Sequence, residues 1–264
     1  MLVPIHTSGT KPPLFLIHGV AGITPLGSTL ARALGPQQPF YVFHANGIDG
    51  RQPVIDNMPD MVRAYVQDIQ GARPTGPLVI GGMCEGSLAA LEIARALQEK
   101  GRQVGPVILG DPQPVPPGHD KRNYVVDVQD PAIARNLHKR VCEAMLEHAS
   151  RPYNDLPFDA NDQRQLELAA SAGVGSLIAF GRHVPRPYGG PTELILSAER
   201  AVSFFHPQAP WQDLLRGPRM VHVLPWDHHE LFRSGREYFA RTLQFMVDQG
   251  PGLETLAQPQ AAFA

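Results

Sequence analysis

The sequence predicts an α/β fold in which helices flank a mostly parallel central sheet. Short apolar runs of strand type alternate along the chain with segments whose apolar residues recur at helical spacing. The strand-type runs are continuously apolar, which is typical of strands covered on both faces. A chain of 264 residues with 43% hydrophobic residues is long enough for one large domain of this kind.

Six strands are predicted, at residues 14–17, 39–43, 78–80, 104–109, 193–196 and 220–224. Four helices are predicted between and after them, at 26–34, 55–69, 87–99 and 237–248. Residues 1–13 are polar and rich in turn-forming residues, and we expect them to form an irregular opening segment.

The strand pattern stops between residues 127 and 189, where two helices are predicted at 131–149 and 162–180. The second helix should be interrupted near Gly173 and Gly175. This pattern predicts a core formed by residues 1–126 and 190–250, with residues 127–189 inserted as a helical lid. Residues 251–264 are rich in Pro, Gln and Ala and are expected to form a flexible tail.

The motif with the clearest chemistry is Gly82-Met83-Cys84-Glu85-Gly86, which follows an apolar run and precedes a strong helix former. It has the form of the nucleophile elbow G-x-S-x-G of α/β-hydrolases, with sulfur in place of oxygen. The turn residue of such an elbow is strained, and glycine on both sides avoids a collision. Cys84 is therefore a candidate nucleophile. The alternative is a buried cysteine in an ordinary β–α turn.

A thiol nucleophile needs a base, which follows the last predicted strand in α/β-hydrolases. His228 occupies that place; His229 is the alternative, and His222 lies within the strand. The residue that orients the base should be an acid at another strand end. Asp111 is favoured because it is short and comes directly after a strand, and Glu199 remains the alternative.

Backbone amides complete a hydrolase site of this kind by binding the oxyanion. The candidates are the amide of Glu85, directly after the nucleophile, and that of Val20, in the loop after the first predicted strand. His18 at the end of that strand is more consistent with a structural role than with a catalytic one.

Composition excludes several other classes of function. The net charge of −2 does not predict a nucleic-acid surface, and the two cysteines, Cys84 and Cys142, form neither a disulfide framework nor a zinc motif. We expect no metal site. The first residues do not have the pattern of a signal peptide and no apolar run is long enough to span a bilayer, so we expect neither a secretory signal nor a membrane partner. A reducing cytoplasm is the expected compartment, since it would keep Cys84 as a thiol.

These residues resemble the thioesterase domains of non-ribosomal peptide and polyketide synthases. The similar segments are 13–19, 76–86, 90–97 and the pair Asp227-His228. Residues 2–5 with Ser8-Gly9 resemble the junction downstream of a carrier domain. The resemblance covers the core on both sides of the lid but not the lid itself, and it supports Asp111 as the acid and His228 as the base.

The resemblance implies an enzyme that takes an acyl or peptidyl chain from a phosphopantetheinyl carrier protein onto Cys84. Release would follow by cyclisation, transfer or hydrolysis. It implies no cofactor beyond the phosphopantetheine arm that carries the substrate, and it leaves the oligomeric state open. This sequence departs from the usual pattern in three places: the nucleophile is Cys84 rather than serine, and Ser87 and Trp226 stand where glycine is common.

Sulfur changes the expected chemistry. Transfer from a carrier thioester to Cys84 would give a second thioester, so loading would be nearly isoenergetic and the acyl group would stay activated. Histidine and a helix N-terminus both favour a thiolate, so we expect a depressed thiol pKa.

Three alternatives to a carrier-dependent releasing thioesterase remain. They are a stand-alone editing thioesterase, a cysteine hydrolase of the dienelactone type, and a non-catalytic binding protein with the same fold.

Overall fold

The computed structural model describes residues 1–19, 21–24, 26–113, 130–151, 155–206 and 209–249. Within these ranges the core is a seven-stranded sheet with strand order β1-β3-β2-β4-β5-β6-β7. Its strands are β1 Leu2–His6, β2 Leu14–Ile17, β3 Phe40–Phe43, β4 Val79–Met83, β5 Val107–Gly110, β6 Thr192–Ser197 and β7 Arg219–Leu224. All neighbouring strands are parallel except β1, which pairs antiparallel with β3. The predicted α/β fold class and the six predicted strands are confirmed.

The strand β1 corrects the expectation of an irregular opening segment. Leu2, Val3 and Pro4 pair with Phe43, Val42 and Tyr41 of β3. β1 lies at the edge of the sheet and is only partly buried. An edge strand accommodates proline and polar residues, because one side of its backbone has no neighbouring strand to pair with.

The helices connect and flank the strands. In the described residues they are α1 Gly27–Leu34, α2 Met58–Ala72, α3 Gly86–Glu99, α4 Pro131–Ala149, α5 Gln163–Arg182, α6 Ala198–Phe204, α7 Pro210–Leu214, α8 His228–Leu231 and α9 Arg236–Gln249. The four predicted core helices and the two predicted insertion helices are present. Three short helices, α6, α7 and α8, lie in segments for which the sequence analysis predicted no helix.

The predicted interruption of α5 is wrong. Gly173 and Gly175 are sites of close helix packing rather than breaks in the helix. A Cβ on Gly173 would lie 2.9 Å from the carbonyl oxygen of Ala21, and one on Gly175 would lie 2.8 Å from that of Ile55. Backbone therefore approaches backbone at both positions, and only glycine leaves room for it.

The two faces of the sheet bury separate apolar clusters, because alternate strand residues point to opposite sides. On one face, α2 and α3 pack over residues such as Phe15 and Ile80. On the other face, α1 and α9 pack over residues such as Leu16 and Ile108. Both faces of β2 through β6 are covered, which explains why these strands are continuously apolar.

A third cluster lies beneath the helical insertion between β5 and β6. It joins Val141 and Met145 of α4 and Ala169 of α5 to Ala21 and Ala45, which follow β2 and β3. The insertion therefore packs against the carboxyl-terminal edge of the sheet. The boundaries predicted for core and lid stay a prediction, and the tail at 251–264 lies outside the described residues, as do 114–129 and 152–154. Among the described helices, none has the length and apolar character needed to cross a bilayer.

Candidate active site

The turn between β4 and α3 has the strained geometry of a nucleophile elbow. Cys84 adopts a left-handed backbone conformation with φ 52°, which is uncommon for a residue other than glycine. A Cβ on Gly82 would lie 2.2 Å from the carbonyl oxygen of Gly86, and one on Gly86 would lie 2.1 Å from that of His18. Glycine is therefore required on both sides of Cys84, and the elbow presses closely against the end of β2.

Three of the predicted site residues lie together above this elbow. The Sγ atom of Cys84 lies 3.5 Å from Nε2 of His228. The Nδ1 atom of the same ring lies 2.5 Å from Oδ2 of Asp111. With Nδ1–H donating to the carboxylate, Nε2 is free to accept a proton from the thiol. The three side chains thus form a continuous relay from a carboxylate to a thiol.

Asp111 is fixed by its backbone as well as by its side chain. It follows β5 with φ 49°, and its amide donates to the carbonyl oxygen of Ile195 at 2.7 Å. Its Oδ1 accepts a hydrogen bond from the amide of Ser197 at 2.6 Å. The carboxylate is fully buried, so these contacts replace the water that it loses.

The alternative residues occupy other positions. Glu199 is exposed, and its carboxylate accepts a weak hydrogen bond from the backbone amide of His228 at 3.4 Å rather than from the ring. The exposed His229 lies beside His228, with ring centroids 5.5 Å apart. His222, on β7, packs against Phe245 of α9.

His18 is buried and engaged through both ring nitrogens. Nδ1 donates to the carbonyl oxygen of Gly19 at 2.8 Å, and Nε2 accepts from the hydroxyl of Tyr65 at 2.7 Å. Burial lowers the pKa of His18 to about 4, so the ring is neutral at neutral pH. The geometry agrees with the structural role expected for this residue.

The expected depressed pKa of the thiol is wrong in direction. Burial raises the pKa of Cys84 well above its ordinary value, and the neighbouring carboxylate of Glu85 raises it further. Arg200 and the backbone amide of Glu85 act in the opposite direction. Cys84 is only 8% exposed, and desolvation of the anion outweighs the nearby positive groups. At neutral pH the resting site therefore holds a neutral thiol.

Arg200 is the site residue that the sequence did not reveal. Its side chain comes from α6, directly after β6, and is buried. Nε lies 3.4 Å from Oδ2 of Asp111, and Nη2 lies 4.0 Å from Sγ of Cys84. No motif marks this position, because the segment around it has the composition of an ordinary loop.

The oxyanion-binding amides stay a prediction. Glu85 precedes the first turn of α3, where helical amides have no partner within the helix. Val20, the second candidate, lies outside the described residues. In the described part of the chain, no group of three or more His, Cys, Asp or Glu side chains is arranged to hold a metal ion.

The sheet, the elbow and the chain order of Cys84, Asp111 and His228 together define an α/β-hydrolase. The model of the thioesterase-domain family matches residues 12–154, which is more than half of the chain. The chain belongs to the thioesterase-domain family. That family indicates a hydrolase.

The chain is also similar in sequence to parts of known synthetases. The chain is 32% identical over 126 residues to atromentin synthetase of Tapinella panuoides, covering 48% of this chain and 13% of the synthetase. It is 32% identical over 114 residues to a dimodular nonribosomal peptide synthase of Bacillus subtilis strain 168, covering 43% of this chain and 5% of the synthase. The chain thus spans only a small part of the length of these relatives.

The solved Vlm2 thioesterase domain carries genetically encoded 2,3-diaminopropionic acid and is bound with a dodecadepsipeptide. It superposes with a TM-score of 0.67 and 19% identity, covering 96% of this chain and 99% of that one. This likeness extends the shared fold over almost the whole chain, including the part beyond residue 154.

Proposed function

We propose that this protein is an acyl-transferring thioesterase in which Cys84 is the nucleophile, His228 the general base and Asp111 the acid that orients the base. The observation that carries the proposal is the relay of 3.5 Å from Cys84 to His228 and 2.5 Å from His228 to Asp111, built on a strained elbow. A structural cysteine would need neither the strained backbone nor an aligned histidine.

The first step would be acyl loading. Nε2 of His228 takes the proton from the Cys84 thiol as sulfur attacks the carbonyl carbon of the incoming thioester. The C–S bond to the carrier then breaks, and the departing thiol takes the proton from His228. Since the thiol is neutral at rest, the base must remove its proton before or during attack. The amides of Glu85 and Val20 are the proposed donors to the oxyanion.

The proposed substrate is an acyl or peptidyl chain on the phosphopantetheine arm of a carrier protein. Membership of the thioesterase-domain family and the likeness to peptide synthetases support this choice. A thioester on Cys84 stays activated, so release by cyclisation, by transfer to another acceptor or by hydrolysis is open to it. The helices inserted in 127–189 are proposed as the lid that selects the acceptor. A free thiol nucleophile further suggests a reducing compartment such as the cytoplasm.

The direct test is intact-mass analysis after mixing the protein with acyl thioesters of phosphopantetheine or with an acylated carrier protein. The parent should gain one acyl mass and then lose it with release of product. Cys84→Ala should gain none. Cys142→Ser, which removes the partly buried second thiol, should behave as the parent. A parent protein that never acquires the acyl mass, or a Cys84→Ala variant that still acquires it, would contradict the proposal.

A further inference from the structure

The guanidinium of Arg200 lies close to both Asp111 and Cys84, the two ends of the relay, without contacting them through His228. Nε lies 3.4 Å from Oδ2 of Asp111 and Nη2 lies 4.0 Å from Sγ of Cys84, at the limit for a hydrogen bond to sulfur. Only 9% of its side chain is exposed. A permanent positive charge is therefore held in a buried position beside the atom proposed to react.

The structural contacts of Arg200 do not account for its burial. Its third nitrogen, Nη1, is buried and has no hydrogen-bond partner among the described residues. Asp111 also receives hydrogen bonds from His228 and from the amide of Ser197, so the carboxylate has partners other than the arginine. Burying a guanidinium that is only partly paired costs free energy, and a role at the reacting sulfur explains why a charge is placed here.

We propose that Arg200 is a further catalytic residue, which stabilises the negative charge on the Cys84 sulfur as the thiol loses its proton. The inference rests on the proposed function of Cys84 as the nucleophile. Arg200 would act at two points: when sulfur attacks the incoming thioester, and when sulfur leaves as the acyl group passes to its final acceptor.

The charged groups around Cys84 show why such a residue is needed. The carboxylate of Glu85 faces the sulfur from the elbow itself, and together with burial it opposes a thiolate. His228 approaches from the segment after β7 and Arg200 from α6, while Asp111 lies behind both of them. Glu199 reaches only the backbone of His228. Arg200 lowers the pKa of Cys84 and brings a permanent positive charge to 4.0 Å from the sulfur.

The proposal distinguishes sulfur from oxygen as the nucleophile. A thiolate is stable enough to exist as a separate species before attack, whereas a serine hydroxyl loses its proton only as the bond to carbon forms. Loss of Arg200 should therefore slow acylation more strongly with Cys84 than with serine at the same position. A purely structural role, such as holding Asp111, would slow both nucleophiles equally.

The first experiment measures alkylation of Cys84 by iodoacetamide between pH 6 and pH 11. It uses a Cys142→Ser background, so that Cys84 is the thiol that is alkylated. Arg200→Gln should move the midpoint upward by about one pH unit, and alkylation below the midpoint should be about tenfold slower. Arg200→Lys keeps the charge but loses the planar guanidinium, so its alkylation midpoint should fall between those of the parent and Arg200→Gln. Arg95→Gln, which removes an arginine paired with Glu92 on α3, should leave the profile unchanged.

The second experiment measures acylation by intact mass for Arg200→Gln in the Cys84 parent and in Cys84→Ser. The proposal predicts a larger fractional loss with cysteine than with serine. It would be overturned by an unchanged alkylation midpoint in Arg200→Gln, or by equal losses with both nucleophiles. If Arg200→Gln does not fold, Arg200→Lys decides: a midpoint identical to that of the parent overturns the proposal. Absence of acylation in the parent would contradict the proposed function and not the role of Arg200, because the alkylation midpoint measures the effect of Arg200 on the thiol without any acylation.

Discussion

Asp111 and His228 meet at 2.5 Å although they follow strands that are not neighbours. Asp111 comes after β5 and His228 after β7, with β6 lying between these strands in the sheet. The end of β6 and the start of α6 support both residues: the amide of Ser197 donates to Asp111, and Glu199 accepts from the amide of His228. The carboxylate and the imidazole are thus aligned across an intervening strand.

We predict that Asp111→Asn slows acyl transfer by about 10³–10⁴. The amide keeps the shape of the carboxylate but loses its charge, so it no longer favours the tautomer that leaves Nε2 free to accept the thiol proton. It also leaves Arg200 buried without its anion. The measurement is kcat/KM with a thioester substrate. Glu199→Gln is the matched control and should retain activity within a few fold; a larger loss with Glu199→Gln than with Asp111→Asn would reverse the assignment of the acid.

We predict that Cys84→Ser still accepts acyl groups but releases them slowly. Its intermediate is an oxygen ester, which is less activated than a thioester toward a weak or constrained nucleophile. The site is also spaced for the larger sulfur atom, and small misplacements reduce rates. Product analysis by mass spectrometry should show water gaining over the natural acceptor. Equal rates and an equal product ratio in the parent and the serine variant would show that sulfur has no special role.

We predict that Gly86→Ala destabilises the fold by about 2 kcal/mol or more, because its Cβ would lie 2.1 Å from the carbonyl oxygen of His18. The elbow and the end of β2 would have to separate. Gly71→Ala is the control: it lies in α2 with nothing within 4 Å of the added Cβ. That variant should gain up to about 1 kcal/mol from higher helix propensity. Urea unfolding of both variants would show whether the two changes differ in sign.

We predict that the buried Glu193 makes stability fall as pH rises. Burial raises its pKa from an ordinary 4.5 to about 7, so the folded protein binds this proton more tightly than the unfolded chain. The stabilisation is complete below pH 4.5 and is lost as pH rises to about 7. Glu193→Gln removes this loss and should be more stable than the parent at pH 8, by on the order of 1–3 kcal/mol.

The matched control for Glu193 is Glu99→Gln, an exposed glutamate at the end of α3. Chemical unfolding at pH 5 and pH 8 should show the parent and Glu99→Gln losing stability together, while Glu193→Gln loses less. A Glu193→Gln variant with the same pH dependence as the parent would show that the buried carboxyl does not titrate in this range.

The sequence predicts the central strands well because both of their faces are buried, as in Leu14–Ile17, where every residue is apolar and buried. It fails for β1, since an edge strand carries a mixed pattern in which Pro4 and Ile5 are exposed. It also fails at Gly173 and Gly175, because local propensity cannot show that another backbone passes within van der Waals distance.

The same contrast between local sequence patterns and tertiary contacts applies to the candidate site. Cys84, Asp111 and His228 could be proposed from the sequence because each follows a strand, and the structure brings the three side chains together. Arg200 was missed because only the tertiary structure brings α6 over the elbow. The pKa of Cys84 was expected in the wrong direction for a related reason: sequence shows the helix N-terminus and the histidine, whereas burial of the sulfur is a property of the assembled fold.

The close packing of α5 implies that it tolerates fewer sequence changes than α4, the other helix of the insertion. Gly173 and Gly175 fix one side of that helix against the carbonyl oxygens of Ala21 and Ile55, and seven other positions along it are also buried. In α4 the buried residues are Val141 and Met145. A library that varies the exposed and partly buried positions of α4 should thus yield many folded proteins, while the same diversity placed in α5 would be lost to unfolding.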